Sequence, residues 1–204
     1  MLKVDFENAY KKASEINEVI RFNKRQGKFV ELNEIARAIK LSTDITNIMF
    51  TQLSFSQFMP LEFVEARSMR KIDIIQSSDT GEYEKTAYIA VNSDYDALTQ
   101  RFAAAHEMGN LLLTDTKNIY TELYKEGKYA ISKHVDVDIS SLLHRVHENE
   151  YLKAEYAANI FALLVLMPDE LKIADINNGK AKYLAQDYGV SEEAVLSRLI
   201  LTNT

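Results

Sequence analysis

The sequence contains no cysteine and only 6 glycines and 2 prolines. The missing cysteine excludes disulfide frameworks, cysteine-ligated zinc ribbons, iron–sulfur clusters and thiol nucleophiles. Any metal must therefore be held by histidine, carboxylate or amide groups. The scarcity of glycine and proline argues against a many-turned sandwich or barrel and leaves room for long helices. Long apolar runs are absent as well: the longest, IFALLVLM at 160–167, is far shorter than the ~20 residues that cross a bilayer. The opening MLKVDFENAYKK lacks the basic-then-apolar order of a secretory signal. A cytoplasmic location and no membrane are expected. Positive charge is the minority sign, with 24 Lys+Arg against 30 Asp+Glu and a net charge of −6. That balance is the wrong one for gripping phosphate backbones and points to a protein partner, not nucleic acid.

What is present is ordinary globular material: 204 residues, 47% hydrophobic and 26% charged, enough for one large or two small domains. No internal repeat, low-complexity tract or linker divides the chain, so a single α+β unit over 1–204 is expected. N-terminal helices occupy 1–40 and a small antiparallel or mixed sheet 45–92. The helices that carry the chemistry occupy 94–168, and a helical tail 169–204.

Phe6, Tyr10, Ala13, Ile16, Val19 and Ile20 recur at three- and four-residue spacing and predict a helix from Val4 to about Arg25, ended by Gly27. Leu32, Ile35, Ala36 and Ile39 predict a second, shorter one. From Ile45 onward β-branched and aromatic residues take over. FVEARSMRKIDIIQ and TAYIAV, separated by a turn around Gly81, read as an antiparallel hairpin. After Asn92 a helix resumes, with Asp94 as its expected cap and Leu98, Phe102, Ala105 and Leu112 on one face. A polar stretch over 114–138 follows, then a strong helical pattern from about Ser140 to Met167, stopped by Pro168. Ser191 caps the last helix, and Gly189 precedes it.

RFAAAHEMGN places His106 beside Glu107, with Gly109 leaving room on one side. A zincin uses H-E-x-x-H because residues four apart share a helix face: two imidazoles bind zinc, and the glutamate between them activates a water. Here the fourth position is Asn110. Glu155 lies in a largely apolar helix, EYAANIFALLVLMP, where an unpaired carboxylate is costly. Its partner is either a metal or a cation such as Arg101.

RFAAAHEMGNLLL, EYAANIFALLVLMP and LAQDYGVSEEAVLSRL, in that order, resemble the ImmA/IrrE family of zincin-like metallo-endopeptidases. The upstream ELNEIARAIKL and YIAVNSDYDALTQRF are similar to the segments that lead into that family's active-site helix, so the likeness runs from about residue 30. The resemblance implies a zincin-like fold with a small sheet beside an active-site helix, and a zinc cofactor. It also implies His106 as first metal ligand, Glu107 as general base and Glu155, in E-x-x-x-N with Asn159, as the carboxylate ligand. Its implied substrate is a helix-turn-helix transcriptional repressor of a phage, mobile element or stress locus.

Asn110 stands where the family has its second histidine. An amide oxygen is a poorer zinc donor than imidazole nitrogen. The site is therefore a weakened one with Asn110 as third ligand, one repaired by another residue, or a metal-poor pseudopeptidase that binds a repressor without cutting it. His144, His147, Glu148 and Tyr151 lie eleven, eight, seven and four positions before Glu155. On one helix His147 would stand ~12 Å from Glu155, so solvated surface is the plainer role for the two histidines. His134 lies in the polar stretch and reads as a loop residue. The tyrosines at 120, 124 and 129 read as cover for that loop. The final helix pair resembles a helix-turn-helix, but Asp187, Glu192 and Glu193 argue against DNA binding. Leu184, Val190, Val195, Leu196 and Leu199 are expected to pack it onto the core.

Overall fold

The computed structural model describes residues 6–22, 28–58, 67–76, 83–113, 150–171 and 180–203. The elements are α1 (Glu7–Phe22), α2 (Leu32–Ser42), β1 (Asn47–Leu53), α3 (Phe55–Phe58), β2 (Ser68–Gln76), β3 (Tyr83–Asn92), α4 (Ala97–Leu113), α5 (Glu150–Leu166), α6 (Ala181–Tyr188) and α7 (Glu192–Asn203). The class is α+β, as the composition and patterning imply.

The sheet has the order β1–β3–β2. β2 pairs antiparallel with β3, which is the expected hairpin, with Arg70 opposite Ile89. β1 joins the other side of β3 in parallel, Asn47 opposite Thr86, so the sheet is mixed. Central β3 buries Ala87, Ile89 and Val91 on one face, the two-residue period of a strand with one side on the core.

α1 buries Ala9, Ala13, Ile16 and Ile20, a single stripe at helical spacing. Tyr10, expected on that stripe, is 37% exposed, and Ala9 takes the inward place. At the start of α4 the cap is Asp96, not Asp94: Asp96 Oδ1 accepts from Leu98 N at 2.9 Å and Thr99 N at 3.0 Å. Asp94 instead accepts from Ser54 Oγ at 2.6 Å and Ser56 N at 2.8 Å, tying α3 to the end of β3.

α4 and α5 form the centre of the molecule. α4 is buried from Ala103 to Leu111, and α5 from Ala158 to Leu166, Leu164 least so. Gly109 does not leave a vacant side. A Cβ there would come within 2.8 Å of Phe161 Cδ1 and 3.2 Å of the Ala158 carbonyl oxygen, so the glycine is what lets the two helices approach this closely. α1 braces α5 from the other side through Asn17 Nδ2, which donates to the Leu164 carbonyl at 3.0 Å. The expected residues 140–149 of the α5 segment lie outside the described residues.

α6 ends at Gly189, whose φ of 62° is the left-handed conformation that glycine adopts without penalty. Ser191 caps α7 as expected, accepting from Ala194 N at 3.2 Å. Val190, Val195 and Leu199 are buried and Leu184 partly so, but Leu196 is 40% exposed and is not core. Arg198 is buried and spends its guanidinium on the end of α5, donating to the Met167 carbonyl at 3.2 Å and the Asp169 carbonyl at 3.3 Å. The one arginine of α7 is thus a structural clamp. No described helix is long and apolar enough to cross a membrane.

Candidate active site

His106 and Asn110 lie one turn apart on α4, and Glu155 and Asn159 one turn apart on α5. The close packing at Gly109 brings the two pairs together. Asn159 Oδ1 lies 3.0 Å from His106 Nδ1, Glu155 Oε2 lies 3.2 Å from Nε2, and Asn110 Nδ2 lies 3.0 Å from Nε2. Both nitrogens of one buried imidazole are therefore held by the E-x-x-x-N face of α5.

An Nδ1–H donated to Asn159 turns Nε2 toward Glu155. A lone pair facing a carboxylate is repulsive, so the geometry calls for a proton or a cation between them. Burial pushes the His106 pKa down, but Glu155's charge and hydrogen bond, Glu107's charge and the Asn159 hydrogen bond together outweigh it and hold the imidazole above its usual range. The Asn110 amide can present a donor or an acceptor to Nε2, so it suits either form of the ring.

Glu107 follows His106 and projects about 100° further around α4, toward the sheet. Its carboxylate is 1% exposed and meets Arg70 Nη1 at 2.9 Å through Oε2. Ser68 Oγ donates to Oε1, also at 2.9 Å. Ser68 and Arg70 are alternate residues of β2 and share one face of the strand. Neither stood out in the sequence, and Asn159 did so only as part of a spacing. Their signal was polar residues at two-residue spacing in a strand, beside a carboxylate that had to be buried.

The alternative partner for Glu155 is placed elsewhere. Arg101 Nη2 donates to the Val30 carbonyl at 2.6 Å, and the guanidinium stacks 4.0 Å over the Phe29 ring. His134, His144 and His147, with the tyrosines at 120, 124 and 129, lie outside the described residues.

The donors at hand for a metal are one imidazole nitrogen, one carboxylate and one amide. Among the described residues no group of three or more His, Asp or Glu side chains is arranged to hold an ion, and Asn110 is the described side chain that stands in third place beside His106 and Glu155. Zinc bonds of ~2.0–2.2 Å at tetrahedral angles put donor atoms ~3.3 Å apart. The 3.2 Å from Nε2 to Glu155 is close to that spacing, whereas the Asn110 atom 3.0 Å from Nε2 is the amide nitrogen, so the amide must turn over to offer its oxygen to an ion. The residues fit a divalent ion, with Asn110 the weakest of the three donors.

Comparison with curated proteins gives no match. A family model for peptidase M78, the IrrE N-terminal-like domain, matches residues 67–199, a span that runs from the strand carrying Ser68 and Arg70 through both central helices and most of α7. The chain belongs to this metallopeptidase family.

Proposed function

We propose that the protein is a zinc-dependent endopeptidase of ImmA/IrrE type that acts on a helix-turn-helix repressor of a phage, mobile element or stress locus. The observation that carries this reading is the bracketed His106: an outer partner on Nδ1 and a carboxylate at Nε2 are how a metal-binding imidazole is oriented. His106, Glu155 and the Asn110 amide oxygen would hold the ion, which supplies Lewis acidity toward a scissile carbonyl and a water of lowered pKa. Glu107 takes a proton from the attacking water and returns it to the leaving amide nitrogen. Arg70 and Ser68 fix its carboxylate on the sheet side of α4, and each oxygen keeps a lone pair for that exchange. The substrate class comes from the family and from the net charge of −6, which suits a basic DNA-binding partner.

Incubation of the purified protein with helix-turn-helix repressors of phage, mobile-element and stress-locus type tests this reading. Cleavage that disappears in Glu107→Gln, with fold and repressor binding retained, supports it; cleavage that persists in the variant removes Glu107 as the base. A second reading, a metal-poor pseudopeptidase that only captures the repressor, is favoured by two observations. Asn110 replaces a strong ligand, and both oxygens of Glu107 are engaged by Ser68 and Arg70. Tight repressor binding without cleavage would select it.

A further inference from the structure

Arg70 brings five N–H donors to the wall of the site, and Nη1 holds Glu107 at 2.9 Å. Its Nε is buried and meets no acceptor among the described residues, while the side chain keeps 11% exposure. Buried donors are nearly always satisfied, so an unmatched one beside a functional site marks the place of an absent acceptor. Nε–H and Nη2–H form the side-on fork of the guanidinium, away from the nitrogen that holds Glu107.

The charge on the site selects the acceptor. Arg70 is already balanced by a carboxylate that is 1% exposed. A second anion on the same guanidinium would face that carboxylate in a poorly solvated place and be repelled. A neutral oxygen meets no such repulsion. In a site that handles polypeptide, the neutral oxygen at hand is the backbone carbonyl.

We propose that Arg70 contacts the bound peptide, its Nε–H and Nη2–H donating to a backbone carbonyl oxygen while Nη1 keeps Glu107. This rests on reading the centre as a peptide-handling site, and it holds whether the peptide is cut or only held. It would make the contact independent of the partner's side chains, setting the position of the peptide relative to Glu107.

Nitrogen-15 NMR of the full chain labelled at arginine tests this directly, with the Arg70 Nε–H resonance assigned by its loss in Arg70→Lys. The probes are N-acetyl-dialanine methylamide, which is neutral, and sodium acetate. The expected result is a saturable shift of that resonance with the capped peptide and none with acetate. In Glu107→Gln, where Arg70 is no longer balanced, acetate should begin to shift it. No shift with the capped peptide, or an equal shift with acetate in the native protein, overturns the proposal. Repressor cleavage is scored separately. A saturable shift without cleavage defeats the peptidase reading and leaves the Arg70 contact standing, whereas cleavage without any shift defeats the Arg70 contact alone.

Discussion

Glu155 Oε2 stands 3.2 Å from His106 Nε2, across the interface of two helices, with both side chains largely buried. The net effect on the imidazole is a raised pKa, which fixes the sign of a pH dependence. In the metal-free protein the pair contributes stability in full below the unfolded histidine value of about 6.5 and loses it as pH rises through the raised folded value. The denaturation free energy of native protein minus that of Glu155→Gln should therefore shrink between about pH 6 and the alkaline side. A difference that grows with pH would contradict this assignment.

The Arg70–Glu107 pair gives a second prediction. Removing one member of a buried ion pair leaves the other charge uncompensated. Arg70→Met should cost about 3–5 kcal/mol in chemical denaturation. Arg70→Met/Glu107→Gln, which carries no stranded charge, should recover most of that loss. Equal destabilisation in the single and double variants would show that the pair is not coupled.

At Gly109 two principles oppose each other. Helix propensity favours Gly109→Ala by about 1 kcal/mol, while overpacking costs about 1–3 kcal/mol. A Cβ would meet Phe161 at 2.8 Å, and behind it the Ala158 carbonyl at 3.2 Å, a backbone atom that cannot rotate away. The packing term should win, so thermal denaturation should find Gly109→Ala less stable than native. A more stable variant would mean that α4 and α5 are looser than described.

Asn110 offers a fourth test. Exchanging a neutral amide for imidazole at the position facing Nε2 should strengthen zinc binding by more than about tenfold, since changes to outer partners alone shift affinity about 10–100-fold. Competition titration with a zinc chelator on native protein and Asn110→His measures this. Equal affinities would place Asn110 outside the metal's reach.

Much of this arrangement is legible in the sequence, and the exceptions have physical causes. His106, Glu107 and Asn110 are tied together by helical spacing, and Glu155 is conspicuous because a charge among apolar residues needs a partner. Ser68 and Arg70 could not be paired with Glu107 from sequence, because that contact depends on which face of the hairpin meets α4. The cap is Asp96 and not Asp94 because both are good cap residues and Asp94 is claimed by Ser54 and Ser56 at the start of α3, some 40 residues earlier in the chain. Leu196 fits the apolar pattern of α7, yet Arg198 turns inward to clamp α5 and leaves Leu196 facing out. Gly109 reads as space in the sequence, whereas in the fold it is contact with Phe161 and Ala158.

The most direct test of a working metal centre is elemental analysis of protein purified without chelator, alongside His106→Ala and Asn110→His. About one zinc per chain in the native protein, lost in His106→Ala, is the expected result for a site of three protein ligands. No zinc in the native protein, with a full equivalent in Asn110→His, would contradict it and identify a peptidase scaffold whose metal site has been disabled.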